Sequence, residues 1–274
     1  NTVTTSIFDE TTGLAPLFEM PIEPFFTVAE GVIFALIIGL ALTNLKKHEK
    51  GHTLEQVFID LHAVISVVLS KFIIPLLPFY VFGNFLNLSF KGDAFEVIAT
   101  FFPVYILIVF QHFIYLIIMF YMSTNVAGKS LKDTIKNSFP AYATAFGTQS
   151  SAATVPVSIK SGKSNGISPE IADYLFPLYA NTHLPGSMIS VSSCVLAVLL
   201  MTGGSTSPGV MIGFFLTLAL VLSAAPGVPG GAIMAALPFL GLVGLESTGV
   251  VASLLITLYL TQDSFGTSIN VTAD

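Results

Sequence analysis

Long apolar runs separated by short polar clusters dominate the chain, and most of them are long enough to cross a bilayer. A helix spanning the hydrocarbon core needs about 20 mostly apolar residues. Phe25 to Leu45 supplies the first, closed by Lys46-Lys47-His48-Glu49-Lys50. Val57 to Leu86 and Ala94 to Met122 supply the second and third. Ser168 to Met201 is a fourth, interrupted at Asn181-Thr182-His183-Leu184-Pro185-Gly186, and Val250 to Asp274 is the last, apolar first and polar afterwards. Two stretches fit a full crossing poorly. Phe139 to Ile159 is rich in Ala, Ser and Thr around Gly147-Thr148-Gln149-Ser150-Ser151. Pro208 to Leu245 is split by Pro226-Gly227-Val228-Pro229-Gly230-Gly231 into halves of roughly 15 residues, each short for a span.

Lysine positions orient these segments, because cytoplasmic loops carry the excess of positive charge. If both awkward stretches enter and leave on one side, Lys46, Lys47, Lys50, Lys129, Lys132, Lys136, Lys160 and Lys163 lie inside and Lys91 outside. Lys71 then stands alone within a span, and the lysine-free loops 202–207 and 246–248 face out. The pattern predicts an all-α polytopic membrane protein of the cell membrane: transmembrane helices with two opposed re-entrant helical hairpins and a broken helix.

Composition agrees. Charged residues make up 9% and the mean hydropathy is +0.84, against roughly a quarter charged in soluble domains. This excludes a water-soluble enzyme and a disordered chain. All ten basic residues are lysine, so no guanidinium is available for bidentate carboxylate recognition. The single cysteine, Cys194, excludes an internal disulfide and reads as a packing residue. No basic patch with interleaved aromatics points to nucleic acid. The chain opens at Asn1 and stops at Asp274 directly after a polar motif, as expected of a fragment.

Lipid cannot hydrogen-bond a backbone, so an interrupted helix at membrane depth must line a cavity or lie within protein. The three interruptions are small, polar or Gly/Pro-rich, and together they predict a binding site near the midplane. On the last helix, Asp263, Thr267, Asn270 and Asp274 follow i, i+4, i+7 and i+11 and share a face. Carboxylates at membrane depth face a cation or a wet cavity. Asp263 suits a substrate ammonium, and Asn270 and Asp274 offer hard oxygens to a monovalent cation. His112 reads as an interhelix residue, and Ser168-Pro169-Glu170 as a helix start. Asn87-Leu88-Ser89 is a sequon.

These motifs resemble the dicarboxylate/amino acid:cation symporters, the glutamate transporter homologues, over essentially the whole chain. Phe146-Gly147-Thr148-Gln149-Ser150-Ser151-Ala152-Ala153-Thr154-Val155-Pro156 resembles the serine-rich tip of the family's first hairpin. Gly227-Val228-Pro229-Gly230-Gly231-Ala232-Ile233-Met234 resembles its second hairpin, one residue shorter than usual. Asp263 through Asn270-Val271-Thr272-Ala273-Asp274 resembles the signature of its last helix, and Val32 to Leu45 the end of its fourth.

The resemblance implies an extracellular loop segment over 1–24, and scaffold helices with the start of a transport domain over 25–122. It implies a transport core over 123–274, with hairpins at 138–160 and 208–245, a broken helix at 168–201 and the last helix at 250–274; the family's first helices are absent. By analogy Ser150 and Ser151, with Val228, Gly230 and Gly231, hold a substrate α-carboxylate, Asp263 its ammonium, and Thr267 and Asn270 assist. Backbone carbonyls of Tyr179 and His183 join Asn270 and Asp274 at a sodium site. The expected function is cation-coupled symport of a small amino acid or carboxylate by an elevator mechanism in a homotrimer. The partners are the substrate and membrane lipid. No cofactor is expected beyond the coupling ion, Na⁺ or alternatively H⁺.

Two departures bear on the substrate and the ion. Where the family reads Asn-Met-Asp-Gly-Thr, this chain has His183-Leu184-Pro185-Gly186-Ser187, without the carboxylate. Where acidic amino-acid carriers place an arginine three residues after the first Asp, it has Gly266, so a second substrate carboxylate lacks its partner. A neutral substrate is expected. A passive channel built on re-entrant loops is the alternative. An intramembrane protease is disfavoured, since Asp263 and Asp274 stand about 16 Å apart along one helix and cannot share a proton.

Overall fold

The computed structural model describes residues 28–68, 71–72, 74–91, 94–223, 225–247 and 249–274, and the expected loop segment 1–24 lies outside them. The described residues are helical with no strand. They fall into two compact units, one within 14–87 and one within 88–274.

The first unit holds α1 (Val28–Lys46), α2 (His52–Val68) and most of α3 (Ile74–Lys91). The run Val57 to Leu86, read as one span, is thus covered by two described helices. A tight turn joins α1 to α2 through Glu49 (φ 55°) and Gly51 (φ 87°), and Lys46 Nζ meets Glu55 Oε1 at 2.7 Å. Ile37, Leu40, Val57 and Val64 are all more than half exposed. Helices facing lipid present such apolar flanks, because no water is there to be avoided.

The second unit begins with α4 (Ala94–Ala127), whose 34 residues extend about 51 Å. It continues with two helices packed as a hairpin, α5 (Leu131–Thr148) and α6 (Ser151–Ser164). Next come α7 (Pro169–Thr182) and α8 (Pro185–Thr202), then α9 (Pro208–Leu222). After a non-helical tip follow α10 (Gly231–Ala236), a 3₁₀ turn (Leu237–Val243) and α11 (Gly249–Ala273). Among the described residues, two apolar stretches have the length and composition to cross a membrane, Phe101–Ala127 and Pro169–Thr202. The second is broken at His183 and Leu184, where Pro185, lacking an N–H, opens α8.

α11 runs through the middle of this unit, packed on α8, α5 and α4. Its N-terminal half, with Leu255 and Tyr259, joins the main core of Val191, Val195, Phe214, Ile233 and Leu240. Its C-terminal half packs through Ile269 on Leu116 and Phe120, and through Val271 on Ala141 and Ala145. Where α8 crosses α11 the backbones touch: a Cβ on Gly186 would lie 2.2 Å from Gly266 O. The nearest atoms to a Cβ on Gly266 would be Ser190 Oγ at 3.3 Å and Gly186 backbone at 3.5 Å. Gly186→Ala is therefore expected to cost about 1–3 kcal/mol as an overpacked crossing, and Gly266→Ala much less. Thermal unfolding of the two detergent-purified variants checks the order; equal losses would mean the crossing is not this close.

Candidate functional site

Each interruption in the second unit leaves backbone groups without helical partners, and the same helix answers two of them. α8 begins with Leu184 as N-cap, which has no side chain able to accept a bond, so the N–H groups of Gly186 and Ser187 need an acceptor. Asn270 on α11 supplies it: its Oδ1 receives Gly186 N at 2.7 Å and Ser187 N at 3.2 Å. The same amide donates through Nδ2 to Ser187 Oγ at 2.9 Å. One buried side chain thus caps a helix that lies 84 residues away in sequence.

The tip of the α9–α10 hairpin is answered by Asp263. Gly230, in the left-handed region (φ 74°), donates its N–H to Asp263 Oδ2 at 2.7 Å. Thr267 donates to Asp263 Oδ1 at 3.2 Å, one turn along α11. Asp263 is 2% exposed, so these donors replace water around a carboxylate in the protein interior. Gly231 is obligatory beside it, because a Cβ would lie 2.2 Å from Pro226 O.

The two hairpin tips also meet. Ser150 caps α6 by accepting Ala153 N at 3.2 Å and donates through Oγ to Gly227 O at 2.6 Å. A Cβ on Gly227 would stand 3.3 Å from Ala152 N, Ala180 O and Asn181 Oδ1, so this one glycine touches the first tip and the helix break. Gln149, left-handed at φ 51°, donates to Ser264 Oγ at 2.8 Å and ties the first tip to α11.

These groups surround a cavity of about 10 Å³, room for roughly one water. Gln149, Ser151, Ser187, Val228, Tyr259, Asp263, Thr267 and Asn270 are among its lining. A larger space of about 220 Å³ lies at the other end of α11, between α4, α5, α6 and α7, lined by apolar side chains such as Leu116 and Phe120 and by polar ones such as Ser158, Asn165 and Asp274. Size does not choose between them. The smaller one gathers the backbone ends at the break and the tips, a buried carboxylate and the amide.

Of the residues expected from sequence, Ser150, Ser151, Val228, Gly230, Asp263, Thr267 and Asn270 are gathered there, with Gly231 directly behind the tip. Tyr179, His183 and Asp274 form a second group. His183 Nδ1 lies 2.8 Å from Asp274 Oδ1, with the Tyr179 and His183 ring centroids 5.9 Å apart. Tyr179 O accepts His183 N at 2.9 Å and closes α7. The Asp274 side chain is 2% exposed and the His183 side chain 36%. Sequence reasoning did not single out Tyr259 or the hydroxyl of Ser187, joined at 3.1 Å. Their signals were available: Tyr259 stands one turn before Asp263, and Ser187 lies in the first turn after the break. Glu170 opens α7 as expected, though Ser168 makes no side-chain cap bond, and Asp173 pairs with Lys163 at 2.7 Å. The side chains of Asn87 and Lys91 lie outside the described residues.

The arrangement of two tips, a broken helix and a carboxylate-bearing last helix occupies the second half of the chain, and a family match extends through nearly all of it. Residues 6–274 match the sodium:dicarboxylate symporter family. The chain belongs to that family. An excitatory amino acid transporter of Caenorhabditis elegans is 25% identical over 252 residues, covering 89% of this chain and 48% of the nematode protein. Excitatory amino acid transporter 2 of Mus musculus is 29% identical over 137 residues, 50% of this chain and 24% of that protein. The serine/threonine transporter SstT of Acinetobacter baumannii (strain AYE) is 24% identical over 246 residues, 88% of this chain and 60% of that protein. The chain therefore spans about half the length of the nematode relative. The family is one of membrane symporters, and the apolar helices suit that location.

The bonds around Asn270 yield a stability test. Asn270→Ala would orphan two buried N–H groups, at about 1–3 kcal/mol each. Tyr259→Phe removes one hydroxyl and leaves Ser187 bonded to Asn270. Thermal unfolding is expected to rank Asn270→Ala well below Tyr259→Phe. The reverse order would contradict the capping role.

Proposed function

We propose that the chain is the core of a sodium-coupled secondary transporter that carries a small neutral amino acid. The observation that carries this is the buried Asp263 carboxylate, held by a hairpin-tip N–H and by the Thr267 hydroxyl, with no cationic side chain in the lining of its cavity. A substrate ammonium is the group such a carboxylate lacks. To reach it, the substrate displaces Gly230 N–H, so the second tip must swing aside on entry and close again over the bound molecule. The substrate α-carboxylate then takes backbone N–H groups at the two tips, near Ser150 and Ser151 and near Val228 to Gly231. Thr267 and Asn270 orient it.

The neutral substrate is supported by the charges available: the chain has no arginine to neutralise a second carboxylate, and no lysine stands in the lining of the cavity. For the ion, Asn270 and Asp274 with carbonyls of Tyr179 and His183 are the proposed oxygens. In that reading Na⁺ displaces His183 from Asp274, and a proton is the other candidate ion. Because Asn270 serves both the substrate side and the ion side, occupancy of one biases the other, which is the thermodynamic requirement of coupling. The hairpins are proposed to be re-entrant from opposite faces, with the second as the extracellular gate. The second unit would move as an elevator against a trimeric scaffold in the lipid.

Uptake into proteoliposomes tests this with labelled serine, alanine, aspartate and succinate, with and without an inward Na⁺ gradient. Serine or alanine uptake is expected to be saturable, uphill and lost in Asp263→Ala, with aspartate and succinate at least about tenfold slower, equivalent to about 1.4 kcal/mol. Succinate uptake that survives Asp263→Ala would overturn the role of Asp263. Flux that no gradient drives uphill would make the protein a channel.

A further inference from the structure

His112 on α4 is the one histidine among the described residues that is fully buried, 1% exposed, and it touches neither Asp263 nor Asp274. Its Nε2 lies 2.9 Å from Gly186 O and 3.2 Å from Ser190 Oγ. A carbonyl can only accept, so Nε2 carries the hydrogen and Nδ1 is the bare nitrogen. Nδ1 has no partner among the described residues. A buried polar atom left unpaired costs free energy, and an apolar side chain of similar volume would avoid that cost. Something must favour the imidazole here, and among the described residues the bond to Gly186 is its only polar contact outside Ser190.

Gly186 is the residue through which Asn270 caps α8. Its N–H is held by Asn270, its C=O by His112, and its Cα lies against Gly266 with no space for a side chain. The carbonyl does not need His112 to be satisfied, since in the first turn of α8 the helical rule already gives it the Ser190 N–H. The extra bond fixes where the turn sits rather than whether it forms.

We infer that His112 is a positioning residue: by gripping Gly186 O it sets the first turn of α8, and through Gly186 N–H it sets the Asn270 amide that serves substrate and ion. This rests on the transport reading for its functional consequence, but its structural step does not. His112→Leu removes the grip, whereas His112→Gln keeps an N–H donor at similar reach and gives up only the nitrogen that does nothing.

Two measurements on the membrane-reconstituted protein test it. Amide hydrogen exchange over 184–190 is expected to rise at least about fivefold in His112→Leu and to return near wild type in His112→Gln, with 151–164 unchanged in both. In uptake, His112→Leu is expected to raise half-saturating Na⁺ and serine about five- to tenfold, the effect of one buried hydrogen bond, at a maximal rate within about twofold of wild type. His112→Gln is expected to restore both constants. Unchanged exchange in His112→Leu, or His112→Gln as impaired as His112→Leu, would overturn the inference. Raised exchange in His112→Leu, with a wild type that takes up none of the four substrates, would instead overturn the transport reading and leave the positioning role standing.

Discussion

A carboxylate removed from water must be surrounded by donors, and much of the second unit is arranged around meeting that demand at Asp263. Desolvating an ion costs several kcal/mol unless hydrogen bonds replace its hydration. Here the replacements come from a hairpin tip, Gly230 N–H, and from the next turn of the same helix, Thr267. The Thr267 hydroxyl is fixed on its helix, whereas the tip is a short Gly/Pro segment. The least rigid donor is therefore the one that a competing ligand displaces first.

Helix ends make the same demand in a weaker form. Leu184 cannot cap α8, Pro185 removes one N–H from the problem, and Asn270 answers the next two. The break is thereby tied to α11, and α11 carries Asp263 two turns earlier. Tip, break and last helix share side chains, so a change at one is felt at the others without any long pathway. The bond from Ser150 to Gly227 O adds the first tip to this set.

Much of this was legible in the sequence because membrane depth makes each polar residue informative. The face shared by Asp263, Thr267, Asn270 and Asp274 follows from helical spacing, and the three interruptions from their glycines and prolines. The pairings were not legible. Nothing local to His183-Leu184-Pro185 says that its cap comes from residue 270, because that contact exists only once α8 and α11 cross at two glycines. His183 was expected to contribute a carbonyl, and the placement of its ring on Asp274 depends on how α7 ends. Tyr259 and Ser187 were passed over since a lone hydroxyl on an apolar helix has many uses. The return limb of the second hairpin read as one half of roughly 15 residues, yet it divides into a short helix and a 3₁₀ turn at Leu237-Pro238, where proline removes a backbone donor.

The central claim is that Asp263 is shared between the second tip and the substrate. Cysteine labelling measures that sharing directly, since Cys194, the only native thiol, is buried. With a reporter at Val228→Cys, thiol modification should be at least about tenfold faster when Asp263→Ala releases the tip, a change equivalent to about 1.4 kcal/mol. Serine with Na⁺ should alter the rate only while Asp263 is present. A labelling rate that is the same with and without the Asp263 carboxylate, and indifferent to serine in both, would contradict the account.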